Sequence, residues 1–185
     1  MFIEFNRRSI RLHKYDYSNP GYYFITINTK YSDPIFGTIH NSKIILNENG
    51  WVVRNTWDQL PNHYRHIRLD AFIIMPDHFH GIIQILESVR AGLRPAHINE
   101  KSQIASERDA FYWAGHRPAR TQYPLSEIIR AFKSYSARRI NILQNTSGKK
   151  IWHRNYYEHI IRDEQELFSI REYIKNNPKN VKAGL

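Results

Sequence analysis

The sequence predicts an α+β fold in which helices pack on one antiparallel sheet. Three observations carry that expectation. Segments rich in β-branched and aromatic residues are interspersed with segments of helical spacing. The strand segments that follow one another directly are joined by short turns, which makes them antiparallel neighbours. The chain has 185 residues, 41% of them hydrophobic, with 12 Tyr, 9 Phe and 4 Trp, enough for one domain with a real core.

The elements follow in chain order. Arg7, Arg8, Arg11 and Lys14 make residues 1–20 a basic N-terminal arm. Residues 22–28 are β-branched and aromatic, a strand. Residues 35–39 and 43–46 form a hairpin around Asn41 and Ser42. Asn49 and Gly50 open a helix to about residue 66, with Val52, Val53, Trp57 and Leu60 at helical spacing and Pro61 as a kink or stop. Residues 68–75 form a strand, Pro76 and Asp77 a turn, and residues 78–86 the next strand. Residues 87–122 lose periodicity, with Gly92, Pro95, Gly115 and Pro118, and read as a long connection. Residues 124–144 form a helix whose stripe includes Leu125, Ile128, Ile129, Phe132 and Leu143. Residues 156–161 form another strand. Asp163 caps a final helix from 164 to about 176, ending near Pro178, with Leu167, Ile170 and Ile174 as its core stripe.

A formal charge of +10 favours a polyanionic partner, of which nucleic acid is the commonest. Arg130, Lys133, Arg138 and Arg139 make the helix at 124–144 basic, either as a solvated face or as a phosphate-binding surface. The absence of cysteine excludes disulfides and thiolate zinc sites. No apolar signal region follows Met1, and no stretch approaches the length of a membrane span. The expected location is therefore cytoplasmic, with no membrane partner.

His78 and His80 carry the sharpest chemical signal. At spacing i, i+2 on a strand they point to the same side, either as two histidines on a solvated face or as half of a divalent-metal site. Tyr173 and Asn177, four residues apart, share one flank of the final helix beside its apolar stripe, and Glu166 falls on that flank too. His159 on the strand at 156–161 is either structural or a proton acceptor. Tyr156 and Tyr157 are rival nucleophiles, although strand aromatics usually serve the core or stack bases.

Four blocks in order give the chain a family likeness. They are Arg8 to Leu12 with Tyr15 to Tyr17 and Gly21 to Thr26; Ile73 to Ile83, containing Pro76, Asp77, His78 and His80; Trp152 to Asp163; and Tyr173 to Pro178. Together they resemble the single-tyrosine HUH transposases, in particular the REP-associated tyrosine transposases, over nearly the whole chain. The resemblance implies a ferredoxin-like sandwich of the HUH-endonuclease type spanning residues 1–185. It implies His78 and His80 as ligands of magnesium or manganese, Asn177 as the third ligand and Tyr173 as the nucleophile. His159 and Glu166 are accessory candidates. The implied partner is single-stranded or hairpin DNA, with Arg7, Arg8, Arg11 and Lys14 on a stem and Arg130, Lys133 and Arg138 on phosphates. The implied reaction nicks and rejoins that DNA near palindromic repeats through a covalent 5′-phosphotyrosine. The alternative is a DNA-hairpin-binding protein that keeps the fold without the chemistry. Relatives include homodimers that share active sites and monomers, and both states stay open. The short chain and single late tyrosine argue against a replication initiator or relaxase. Ile82 stands where a histidine-triad hydrolase would need a further histidine.

Overall fold

The computed structural model describes residues 15–87 and 123–180. The arm residues Arg7, Arg8, Arg11 and Lys14, and all but the start of the connection at 87–122, lie outside the described residues. Four antiparallel strands form the main sheet: β1 (Gly21–Asn28), β4 (Ile67–Ile74), β5 (His78–Ile85) and β6 (Tyr157–Ile161), in the order β4-β5-β1-β6. The order follows from two split crossovers. The chain leaves β1 and returns as β4 with β5 later filling the gap, and leaves β5 to return as β6 beyond β1. This is the ferredoxin-like arrangement expected from the sequence. A separate hairpin, β2 (Gly37–His40) and β3 (Lys43–Leu46), turns at Asn41 and Ser42, both with positive φ. That handedness matches the twist of the flanking strands.

Alternation along the strands makes two layers. Tyr23, Ile25 and Ile27 of β1 and Phe79, Ile83 and Ile85 of β5 face helices α1 (Glu48–Asp58) and α3 (Leu125–Leu143). Trp57 and Phe132 meet Phe79 there with ring centroids 4.6 and 5.2 Å away, all three fully buried. Burying each such ring stabilises the fold by roughly 1.5–3 kcal/mol. The opposite layer is smaller: Ile82 and Ile161, with Tyr22, Phe24, Ala71 and Ile73, pack against Leu167, Ile170 and Ile174 of α4 (Glu164–Asn180).

Several element ends shift by a residue or two from the sequence expectation, and three differences in the helices have a physical cause. The first helix begins earlier, because the Asn47 side chain accepts the Gly50 N–H at 3.0 Å. It also stops at Asp58, and a short α2 (Leu60–His63) restarts with Pro61 in its first turn. Proline is tolerated there because its missing N–H would have no helical partner. The last helix runs on through Pro178 to Asn180. Pro178 removes one backbone bond close to the helix end, where little pairing remains to be lost. Asn177 consequently keeps helical geometry one turn after Tyr173.

Candidate active site

The site lies on the face of the sheet that α4 covers. His78 and His80 project from β5, their ring centroids 4.7 Å apart. On β1, Thr26 pairs with His80, and its Oγ1 shares a 2.8 Å hydrogen bond with His80 Nδ1. Phe24, two residues earlier, stacks on the His80 ring at 5.4 Å and meets the Tyr173 ring edge-on at 6.1 Å. The Tyr173 hydroxyl stands 3.5 Å from His80 Nε2. Residues 93 positions apart in the chain thus meet because the even-numbered side chains of β1 and β5 and one flank of α4 face each other.

The two histidines share an arrangement. Each engages Nδ1 with a nearby oxygen: His80 with Thr26, and His78 with Asp77 Oδ1 at 2.6 Å, where the imidazole N–H donates to the carboxylate. The Asp77 carboxylate can only accept, so it fixes the His78 tautomer that leaves Nε2 with its lone pair, the form in which an imidazole ligates metal, while the Thr26 hydroxyl orients the His80 ring. His80 is buried, and desolvation, with the neighbouring His78 adding to it, pushes its pKa down to about 3. It is therefore neutral across the working range, as a ligand must be. Among the described residues no group of three or more His, Asp or Glu side chains could hold a metal ion. The histidine pair supplies two imidazole donors, and Asn177, the third ligand the resemblance implies, is buried one turn beyond Tyr173. Mixed imidazole and oxygen donors suit magnesium or manganese.

His159 lies across from Phe24 on β6, on the site face. Its Nε2 is held by Glu166 Oε1 at 2.6 Å, and Glu166 Oε2 accepts the Arg162 N–H at 2.8 Å. Burial alone would raise the Glu166 carboxyl, but those hydrogen bonds outweigh it and hold it below the usual range. Glu166 precedes Tyr173 by two helical turns, about 10 Å along the axis. The pair therefore grips the start of α4, and the ring beside the phenol is His80.

The basic residues of α3 belong to the other layer. Lys133 Nζ donates to the carbonyls of His153 and Arg154, both at 2.8 Å, and burial lowers its pKa. Arg130 Nε donates to Glu127 at 3.0 Å, which raises the guanidinium pKa. Both line a groove between α3 and residues 149–156 that also carries Lys149, Lys150 and Arg154. Arg138 lines an adjoining hollow with Lys149. Thr26, Asp77 and Phe24 escaped the sequence reading. Their only signals were their place in the alternation of β1 and, for Asp77, its position beside His78.

Comparison with known proteins shows what the chain is similar to. The family model described as transposase IS200 like matches residues 118–177. Over those residues the chain resembles the IS200-like transposases. An uncharacterized protein of Haemophilus influenzae is 38% identical over 173 residues, which cover 94% of this chain and 88% of that protein. A solved structure of a REP-associated tyrosine transposase bound to a REP hairpin superposes with a TM-score of 0.56 at 16% identity, covering 91% of this chain and 72% of that one. At that identity the likeness shows the shared HUH-type fold. No described helix is long and apolar enough to cross a membrane.

Proposed function

We propose that the protein nicks and rejoins single-stranded DNA beside hairpins, with Tyr173 as the nucleophile. The observation that carries this reading is the Tyr173 hydroxyl 3.5 Å from Nε2 of His80, beside the second histidine of the pair. The phenolic oxygen attacks the scissile phosphorus, the bond from phosphorus to the 3′ oxygen breaks, and the 3′ side leaves as a hydroxyl. The 5′ phosphate stays on Tyr173 as a phosphodiester, so a later 3′-hydroxyl reverses the step and joins new ends. A free phenol has a pKa of about 10, so its proton must be taken up as the bond forms.

His78 and His80 would hold a divalent metal through Nε2, with the Asn177 amide oxygen as third ligand. A magnesium or manganese ion held by these residues would supply positive charge that polarises the scissile phosphate. Asp77 keeps His78 in the ligating tautomer, Thr26 orients the His80 ring, and Phe24 packs against both His80 and Tyr173. Arg130, Lys133, Arg138, Lys149 and Lys150, on the opposite layer, serve the phosphates of a duplex stem and not the scissile one. Phosphate contacts of this kind set position and register.

The test uses a labelled single-stranded oligonucleotide with a flanking hairpin, incubated with manganese. A protein–DNA adduct that survives phenol extraction is expected from the native chain and absent from Tyr173→Phe. His78→Ala should abolish metal-dependent cleavage while hairpin affinity stays within about threefold, since the histidines touch only the cleavage site. Normal adduct formation by Tyr173→Phe would overturn the assignment. Hairpin binding by the native chain with no adduct would favour the binding-protein reading.

A further inference from the structure

Tyr173 is 46% exposed, and among the described residues its one polar contact is the long 3.5 Å approach to His80. A bond of that length holds little. The position of its oxygen is therefore set by where α4 lies on the sheet. We infer that Asp70 and Arg171 are positioning residues for the nucleophile, gripping α4 at the β4 edge while His159 and Glu166 grip it at the β6 edge. This inference rests on the assignment of Tyr173 above.

The grip at β4 depends on an irregularity in the strand. Pairing runs Leu69 with Ile83 and then Phe72 with Gly81, so β4 spends one residue more than β5 across this interval. Such a bulge breaks the alternation of side chains. Leu69 and Phe72 pack in the larger core, while Ala71 packs in the smaller one under α4. Asp70, beside Ala71, reaches the helix on that side. The Arg171 guanidinium donates to it through two bonds, Nε to Oδ1 at 2.8 Å and Nη2 to Oδ2 at 2.6 Å. The Ala71 N–H donates to the same Oδ1 at 2.7 Å, fixing the carboxylate from behind. Parallel two-bond pairing fixes direction as well as distance. The Asp70 side chain is 19% exposed, so solvent competes weakly for it.

Arg171 stands two residues before Tyr173 and five after Glu166. One anchor therefore sits on either edge of the sheet, with the helix spanning β5 and β1 between them. A helix held at one end alone could rock about that point. Held at both edges it has one seat, and that seat puts the phenol over His80. The exposed Lys175 pairs only with Glu172 of its own helix, at 3.4 Å, and ties nothing to the sheet.

The experiment measures adduct formation in single turnover at saturating hairpin-flanked oligonucleotide with manganese, together with oligonucleotide affinity and thermal midpoint. Asp70→Asn and Arg171→Gln should each slow the adduct step by roughly 10–100-fold, the scale expected for a misplacement near 1 Å. Affinity should stay within about threefold, and the double variant should be no slower than the slower single, as for two halves of one device. Glu172→Gln should keep the native rate. Arg171→Lys keeps the charge but loses the fork, and should show an intermediate loss; it carries the test if Asp70→Asn does not fold. Single variants within twofold of the native rate, or losses that multiply in the double, would overturn the clamp. Tyr173→Phe in parallel separates the outcomes: adduct there defeats the nucleophile assignment, whereas unaltered rates in the Asp70 and Arg171 variants with none in Tyr173→Phe defeat only the clamp.

Discussion

Thr26 does two jobs that its residue type alone does not announce. Its β-branched shape suits the middle of a strand, and its hydroxyl orders the buried His80 ring through Nδ1. Replacing it with valine keeps the shape and removes the oxygen. Thr26→Val should leave the fold intact and weaken manganese binding by roughly 10–100-fold, measured by calorimetric titration, because outer partners of ligating histidines act on that scale. At this scale the sequence was legible where chemistry is rare and dark where it is common. Two histidines two apart and a tyrosine four before an asparagine stand out. A threonine among strand residues does not, nor does the Asp70–Arg171 pair, whose members lie 101 positions apart.

Strands and helices were mostly visible from their periodicity, and their ends were not. The break after Asp58 depends on how the chain repacks around Pro61, and the persistence of α4 past Pro178 on how few bonds that proline removes. The bulge in β4 had a faint signal, since Asp70 breaks the apolar run from Leu69 to Ile74. One glycine shows how tightly an element is matched to its neighbours. A Cβ on Gly81, next to His80, would lie 2.7 Å from Trp57 and 2.8 Å from Phe79 ring atoms. Both rings are fully buried, so neither has room to retreat. Gly81→Ala should therefore cost about 1–3 kcal/mol, the range for overpacking a filled core. Urea denaturation checks this, and a neutral result would mean that the layer can open.

The whole molecule divides its labour between two layers. The histidine pair and Tyr173 occupy the face under α4, and the groove with Lys149 and Lys150 lies behind α3 on the far side. If that groove grips a stem, Lys149→Gln with Lys150→Gln should lower the slope of log affinity against log salt by roughly 1.5, at about 0.7–0.9 per phosphate contact. Binding isotherms at several salt concentrations measure it, and an unchanged slope would remove the groove from the interface. The charge excess was legible in composition, but which surface carries it needed the topology. The alternation of β1 has one more consequence. Tyr23, Ile25 and Ile27 fill the large core, while Phe24 and Thr26 build the site, so stability and activity are written on the same eight residues at odd and even positions. Losing or gaining a single residue inside this strand would exchange the two texts at once, much as a frameshift does in a gene, whereas a change of two would restore the parity.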